Sequence, residues 1–281
     1  MDGKQIALLE ERAAACRRHV LRMVRASGCG HLGGALSCLD ILTALYFHVM
    51  RCDPKNPGLP GRDRFVLSAG HKCMALYAVL AEKGYFDLSV LDTYGSLDAK
   101  IPGHPDMHKL PGVEANTGAL GHGLSLSVGM ALGLRARHPG ARVFTVMGDG
   151  ELPEGSNWEA AAAASHHRLD NLIAFVDANG LQISGPTREV MSMEPIGGRF
   201  AAFGWAVREI DGNDMGQIVD CLDAVSAGGG KPTMIVARTV KGKGLAFAEN
   251  NVACHYWKAS PEELARAEAE LASAPARGEA K

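Results

Sequence analysis

The sequence has few aromatic residues and no concentration of charge of one sign. Aromatic residues make up 6% of the 281 residues, and 29 Lys and Arg stand against 31 Asp and Glu, for a formal net charge of -2. Because no stripe of basic residues could release counterions from a long polyanion, we expect no nucleic-acid partner. At 47% hydrophobic and 21% charged, the chain is too apolar and too balanced for a disordered protein. A folded globular protein is therefore predicted.

Signals for secretion and for membrane insertion are also missing. No run of residues reaches the ~18 apolar positions of a membrane span, and the start of the chain mixes charges of both signs where a signal peptide is uninterruptedly apolar. The seven cysteines are scattered and form no C-x-x-C pair, which argues against a disulfide framework or a zinc knuckle. These features predict a cytoplasmic protein that binds no membrane and whose cysteines are small buried hydrophobic residues.

Hydrophobic periodicity predicts helices that alternate with strands. Two helical patterns, at 5–26 and 36–50, flank a stretch that is too glycine-rich to continue either helix. Strands joined by single helices imply right-handed crossovers, so the expected class is α/β, a parallel sheet with helices on both faces. We expect one domain over residues 1–260 and a short helical or frayed tail over 261–281. Strands are predicted at 64–69, 141–147, 171–176, 205–210 and 233–240, and helices at 74–83, 126–137, 156–167, around Phe200 and at 217–227.

Polar residues follow two consecutive strands of the predicted sheet. Asp149 lies in a GDG sequence just after strand 141–147, and Asn179 follows strand 171–176. Neighbouring parallel strands lie ~4.8 Å apart, so these two side chains can converge on one point. Carboxylate, amide and backbone carbonyl oxygens suit Mg²⁺ or Ca²⁺, and the carbonyl of Leu181 is the natural third ligand. The alternative is that Asp-Gly and Asn-Gly are only turn formers.

Two common nucleotide-binding patterns are out of place or missing. Residues 28–33 satisfy G-x-G-x-x-G, but they follow a helical pattern, whereas the dinucleotide motif must follow a strand. A phosphate-binding G-x-x-x-x-G-K-[ST] loop does not occur in the sequence. Neither pattern predicts a nucleotide site.

The spacing of Asp149 and Asn179 resembles the cofactor motif of thiamine-diphosphate enzymes, which begins with GDG and ends with Asn about thirty positions later. The two residues are 179 − 149 = 30 positions apart. Within that superfamily the chain resembles the transketolase family over residues 27–255. The segments that match are SGCGHLGG, GRDRFVLSAGH, IPGHP, EANTGALGHGLS and TVKGKGLAFAENN with the His255 that follows. Since transketolases continue with two further domains, the resemblance implies the amino-terminal, thiamine-diphosphate-binding subunit of a split transketolase.

The resemblance also implies roles for individual residues. Asp149, Asn179 and the Leu181 carbonyl would hold Mg²⁺ or Ca²⁺ on the diphosphate, and Glu154 would join an acidic network at the subunit interface. Glu154 has the alternative role of complementing a helix N-terminus. The cofactor-binding residues would be His71, Gly118, Leu120, Gly148, Asp149, Gly150, Glu154, Asn179, Ile183 and His255. The residues that face the sugar and move protons would be His31, His104 and His255.

The activity implied is transfer of a two-carbon unit from a ketose or its phosphate to an aldose or its phosphate. Carbanion formation in this family needs a glutamate of the pyrimidine-binding domain, which the resembling segment does not include. We therefore expect the chain to be inactive alone and to require a separately encoded partner, in an assembly with two copies of each subunit.

Some residues depart from the common transketolase pattern on the sugar side. Ala119 stands where many transketolases have proline and His122 where they have glutamine, and 256–258 read Tyr-Trp-Lys instead of a glycine-containing run. These changes favour a substrate other than the usual pentose phosphates, such as a branched or deoxy sugar phosphate. Lys243 either neutralises phosphate or is a solvated loop charge.

Two other functions remain as alternatives. One is the alpha subunit of another thiamine-diphosphate enzyme, either a 2-oxoacid dehydrogenase or a deoxyxylulose-phosphate-synthase-like protein. The GHLGG and IPGHP segments favour sugar chemistry over it. The other is a non-catalytic relative that keeps the fold, in which loss of Asp149 or Asn179 would be expected, yet both are present.

Overall fold

The computed structural model describes residues 3–225 and 229–273, which form nine helices and nine strands. The helices are α1 (Gly3–Ser27), α2 (Leu32–Ala44), α3 (Cys73–Lys83), α4 (His122–Arg137), α5 (Gly155–His166), α6 (Thr187–Val190), α7 (Ile196–Ala202), α8 (Met215–Asp223) and α9 (Pro261–Ser273). The strands are β1 (Cys29–Gly30), β2 (Arg64–Leu67), β3 (Val143–Gly148), β4 (Leu172–Ala178), β5 (Leu181–Gln182), β6 (Gly185–Pro186), β7 (Ala206–Asp211), β8 (Thr233–Arg238) and β9 (Trp257–Lys258).

Five strands form a parallel sheet in the order β2-β3-β4-β8-β7. Every residue of the central strand β4 is buried, as expected for a strand covered on both faces. Successive side chains of a strand point to opposite faces, so Phe175 joins a core with α1, α2, α3 and α8. Its neighbour Val176 joins a second core with α4, α5 and α7. The predicted α/β fold with helices on both faces is confirmed.

The sheet places the ends of β3 and β4 beside each other. The last pair in their register is Gly148 with Asp177, so the chain leaves both strands at the same edge of the sheet. In α/β sheets, ligands bind outside this carboxyl edge.

Helix α2 begins earlier than predicted and includes two glycines. A Cβ at Gly33 would lie 2.9 Å from the carbonyl oxygen of Cys254, and one at Gly34 would lie 3.1 Å from Cγ of Lys72. The glycines therefore permit close packing of this helix and do not interrupt it.

The expectation that no segment could span a membrane by length and composition was wrong. Leu32–Val49, which combines α2 with a π-helical turn at Leu45–Val49, is 18 residues long with a mean hydropathy of 1.5. It is nevertheless 83% buried inside the protein, where α2 packs between α1 and α3. Its apolar residues thus belong to the core.

The region predicted as a tail contains helix α9, which packs on α1. Its buried residues are Leu264, Ala267 and Leu271, spaced to share one face. The end of the tail, 274–281, lies outside the described residues. So do residues 226–228, where the predicted helix 217–227 has its end.

Candidate active site

Asp149 and Asn179 lie side by side where β3 and β4 end. The carboxylate of Asp149 accepts hydrogen bonds from the backbone N–H groups of Gly180, at 2.6 Å, and Gly150, at 2.8 Å. The Oδ1 atom of Asn179 accepts from the N–H of Leu181 at 3.1 Å. Both side chains are buried. The structure thus brings the two predicted ligands to one point.

The amide of Asn179 has one orientation that its neighbours favour. Its Nδ2 atom donates to Oδ2 of Asp177 at 3.4 Å, while its oxygen accepts from Leu181. The reverse orientation would set two N–H donors against each other at Leu181 and two oxygens against each other at Asp177. Burial, together with the charge of Asp177, raises the pKa of Asp149 to about 6. A cation between Asp149 and Asn179 would offset that penalty.

A buried ion pair supports these strand ends. The ammonium of Lys72 contacts the carboxylate of Asp177, and both side chains are almost completely buried. The same carboxylate accepts from the hydroxyls of Ser37, at 2.5 Å, and Thr239. Burial by itself lowers the pKa of Lys72, but the charge and the hydrogen bond of Asp177, together with smaller contributions from other neighbours such as Asp149, outweigh it, so the pKa is raised. The sequence offered no signal for this pair, because Asp177 lies within an apolar strand.

A cavity of about 300 Å³ opens beside these residues. The predicted site residues that line it are His31, His71, His104, Gly118, Leu120, Gly148, Asp149, Gly150, Asn179, Leu181, Ile183 and His255. It is also lined by five residues that sequence analysis missed, which are Gly34, Lys72, Glu151, Gln182 and Lys241.

Glu154 is the one predicted cofactor residue outside the cavity. It is exposed and precedes α5, without a side-chain hydrogen bond to that helix. The buried glutamate of this loop is Glu151, which accepts from the N–H groups of Gly121, at 2.8 Å, and Gly148, at 3.1 Å, and from the Ser68 hydroxyl. Glu151 therefore ties the loop around Gly121 to the end of β3. The place of Glu154 at an interface stays a prediction.

Four imidazoles cluster at the cavity. The ring of His31 lies 5.3 Å from that of His71, 6.2 Å from His104 and 5.5 Å from His255, centroid to centroid. Burial lowers the pKa of His31 and of His255 to about 4, and that of His71 to about 2. These three rings are therefore neutral near pH 7, each with one donor and one acceptor nitrogen.

Lys241 fixes the tautomer of His255. Its Nζ atom lies 3.0 Å from the carbonyl oxygen of Leu181 and 3.0 Å from Nδ1 of His255. An ammonium has only donors, so Nδ1 is the acceptor and Nε2 carries the proton. Burial lowers the pKa of Lys241 to about 8. Lys243, which the sequence singled out, instead lies 3.6 Å from Glu249 and does not line the cavity.

Acidification is expected to destabilise the fold between about pH 6.5 and about pH 4. The folded-state pKa values of His31 and His255 lie below the ordinary 6.5, so the unfolded chain binds more protons in this window. The free energy of unfolding should therefore fall as the pH falls, which denaturant titrations at a series of pH values measure. The free energy of unfolding of a His31→Gln/His255→Gln variant should fall less over this pH range. A fall equal to that of the wild type would contradict the assignment of the effect to these two imidazoles.

The donor set fits a hard divalent cation with a diphosphate. Asp149, Asn179 and Leu181, which offer a carboxylate, an amide and a backbone carbonyl, line the same cavity. Within the described ranges no three His, Cys, Asp or Glu side chains form a competing metal cluster. Near the cavity, the buried Thr117 Oγ1 and Gln182 Oε1 have no hydrogen-bond partner in the part of the chain that the structure describes. Leaving buried polar atoms unpaired costs free energy, which a bound polar group would relieve.

The chain resembles known transketolases over almost its whole length. The family model for the transketolase, thiamine diphosphate binding domain, matches residues 9–278. A 6-deoxy-6-sulfo-D-fructose transketolase subunit from Clostridium sp. (strain MSTE9) is 45% identical over 271 residues, which cover 96% of this chain and 98% of the relative. An apulose-4-phosphate transketolase subunit from Phocaeicola vulgatus is 42% identical, covering 95% of each chain.

Solved structures agree with this assignment. The transketolase from Campylobacter jejuni superposes with a TM-score of 0.87 at 33% identity, covering 97% of this chain and 43% of the longer one. The chain thus spans less than half of that transketolase but nearly all of the two related subunits. It belongs to the transketolase family and corresponds to its thiamine diphosphate binding domain.

Proposed function

We propose that this chain is the thiamine-diphosphate-binding subunit of a two-subunit transketolase. The assembled enzyme would move a two-carbon unit from a ketose or ketose phosphate to an aldose or aldose phosphate. The observation that carries this proposal is that Asp149, Asn179 and Leu181 line one cavity together with the imidazoles of His31, His71, His104 and His255. The related proteins are transketolase subunits, which favours this function over 2-oxoacid or deoxyxylulose-phosphate chemistry. We assign the domain to residues 1–260 and the enzyme to the cytoplasm.

The metal would be held by the side-chain oxygens of Asp149 and Asn179 and by the carbonyl oxygen of Leu181. Mg²⁺ is the ion we expect, since it keeps positions free for phosphate oxygens, and Ca²⁺ is the alternative. Lys241 and His71 line the same cavity and would face the diphosphate, with Gly150 letting the backbone approach closely. When bound, thiamine diphosphate supplies the carbanion chemistry of the reaction.

The imidazoles would handle protons on the sugar. His255 carries its proton on Nε2 because Nδ1 faces Lys241, so Nε2 can donate a hydrogen bond to a substrate oxygen. His31 and His104 line the same cavity, and the neutral ring of His31 offers one donor and one acceptor nitrogen to a sugar hydroxyl.

A partner subunit would complete the site. Ile183, on the cavity wall, has 69% of its surface exposed, and Val190 and Met191 nearby in the chain are also exposed. Exposed apolar side chains beside a cavity are typical of a surface that another chain covers. We propose a pyrimidine-binding partner and an assembly with two copies of each subunit.

We propose a substrate other than the usual pentose phosphates. The two related subunits are named for 6-deoxy-6-sulfo-D-fructose and for apulose 4-phosphate. Ala119 and His122, which depart from the common pattern, border a groove beside the cofactor loop that contains Gly118. We propose that the donor is a ketose of this unusual class, carrying an anionic group at its far end.

Reconstitution tests the proposed function. The chain and a partner, sought in the gene immediately downstream, are purified separately and assayed alone and mixed, with thiamine diphosphate and Mg²⁺. Donors would be xylulose 5-phosphate, fructose 6-phosphate, apulose 4-phosphate and 6-deoxy-6-sulfo-fructose. We expect ketol transfer only in the mixture. Robust transfer by this chain alone, or decarboxylation of 2-oxoacids in place of ketol transfer, would refute the proposal.

A further inference from the structure

Tyr256 lies at the mouth of the cavity, next to the imidazole cluster. Its ring centroid is 4.8 Å from that of His31, closer than any of the three other imidazoles of the cluster, with the planes at 74°. His31 lines the cavity, whereas Tyr256 does not, and 45% of the surface of Tyr256 is exposed. Tyr256 therefore borders the cavity beside His31 and is partly open to solvent, and we call this place the mouth of the cavity.

The backbone holds Tyr256 in this place. Strands β1 and β9 pair antiparallel, with Gly30 opposite Trp257. Trp257 is buried, and its ring packs 5.0 Å from that of Phe247, which anchors the residue after Tyr256. A Cβ at Gly30 would lie 2.8 Å from the end of Met74, so β1 is itself closely packed. The backbone next to Tyr256 is thus held in place by close packing of β1 and β9.

The hydroxyl of Tyr256 is held by a thiol. Its Oη atom lies 3.0 Å from Sγ of Cys29, and either atom can be the donor. A thiol is a weak partner, so the hydroxyl keeps hydrogen-bonding capacity for another oxygen. Within residues 3–225 and 229–273, the ring nitrogens of His31 have no hydrogen-bond partner, and the rings of His71, His104, His255 and Tyr256 lie around this imidazole.

We propose that Tyr256 is a specificity-determining residue that contacts the part of the sugar chain beyond the reacting carbons. The inference rests on the proposed function, in which the reacting carbons lie at the histidines. A substrate chain that extends from there toward solvent passes Tyr256. Its hydroxyl, oriented by Cys29, then hydrogen-bonds a sugar hydroxyl, while its ring limits the width of the mouth. The ligand class is a polyhydroxylated aldehyde long enough to reach the mouth.

Acceptor length separates this role from a structural one. In the reconstituted complex, kcat and KM are measured for glycolaldehyde, which has two carbons, and for ribose 5-phosphate, which has five. For Tyr256→Ala we expect KM for ribose 5-phosphate to rise about tenfold, which is the size of a lost aromatic and hydrogen-bonding contact. KM for glycolaldehyde should stay within about twofold. Tyr256→Phe and Cys29→Ala should reproduce part of the effect, since they remove or free the hydroxyl.

The possible outcomes are distinct. Equal changes in KM for both acceptors, in a variant with an unchanged unfolding midpoint, would overturn the role of Tyr256 and leave the proposed function intact. If Tyr256→Ala unfolds, the two acceptors are compared in Tyr256→Phe instead. The proposal is overturned if KM in that variant changes equally, or not at all, for both acceptors. Absence of ketol transfer by the wild-type complex to either acceptor would overturn the proposed function, and the role of Tyr256 with it.

Discussion

Replacement of Asp149 by alanine is expected to abolish the response of thiamine diphosphate binding to Mg²⁺. Asp149 is the only carboxylate among the three proposed ligands, and its two oxygens are oriented by backbone N–H groups that follow β3 and β4. Changing an outer partner of a metal site typically weakens affinity 10–100-fold, so removing a charged ligand should cost at least about 100-fold. Calorimetry of the reconstituted complex, with Mg²⁺ and with a chelator, measures the ratio of the two affinities.

The affinity for the cofactor in the absence of metal distinguishes the loss of a metal ligand from general damage to the site. Without metal, the Asp149 carboxylate repels the diphosphate, so Asp149→Ala should bind the cofactor no more weakly than wild type under chelator. Asp98→Ala, at an exposed position, is the matched control and should keep the full metal response. A metal response of normal size in Asp149→Ala would show that the ion lies elsewhere.

Lys72→Met is expected to lower the free energy of unfolding by about 3–5 kcal/mol, the usual effect of removing one partner of a buried ion pair. The substitution leaves the carboxylate of Asp177 buried, with only hydroxyl and amide donors to stabilise it. Denaturant titration of this chain measures the change. The substitution should also loosen the amide of Asn179, which donates to the same carboxylate.

A double variant separates the effect of the unpaired charge from the effect of the changed side-chain shape. Lys72→Met/Asp177→Asn removes the unpaired charge, so the double variant should recover part of the lost stability. Lys100→Met, at an exposed loop position, should change the free energy of unfolding by less than about 0.5 kcal/mol. If Lys72→Met were as mild as Lys100→Met, the ion pair would not stabilise the strand ends.

Sequence periodicity predicted the sheet well because buried parallel strands are continuous apolar runs. The strands predicted at 141–147 and 171–176 correspond to β3 and β4, and the residues after them meet as their spacing implied. The pairs β1–β9 and β5–β6 were missed because each strand has only two residues. A two-residue strand has no periodicity, and its partner is set by the tertiary fold.

Some residues of the site could likewise be predicted from the sequence, and others could not. Asp149 could be singled out because it follows a strand in a GDG sequence, and the histidines because they stand in or beside segments that resemble transketolases. Lys241 could have been distinguished from Lys243 only by its burial, which depends on how its loop folds against His255. Glu151 is likewise three residues from Glu154, and local sequence cannot tell which carboxylate turns inward.

A crystal structure of the assembled enzyme with thiamine diphosphate and Mn²⁺ tests the central claim most directly. Mn²⁺ shares the preference of Mg²⁺ for oxygen ligands and gives an anomalous signal. We predict one anomalous peak at the ends of β3 and β4, about 2.1–2.3 Å from the oxygens of Asp149, Asn179 and Leu181 and bonded to the diphosphate. A peak away from these oxygens, or diphosphate bound there without an ion, would contradict the account.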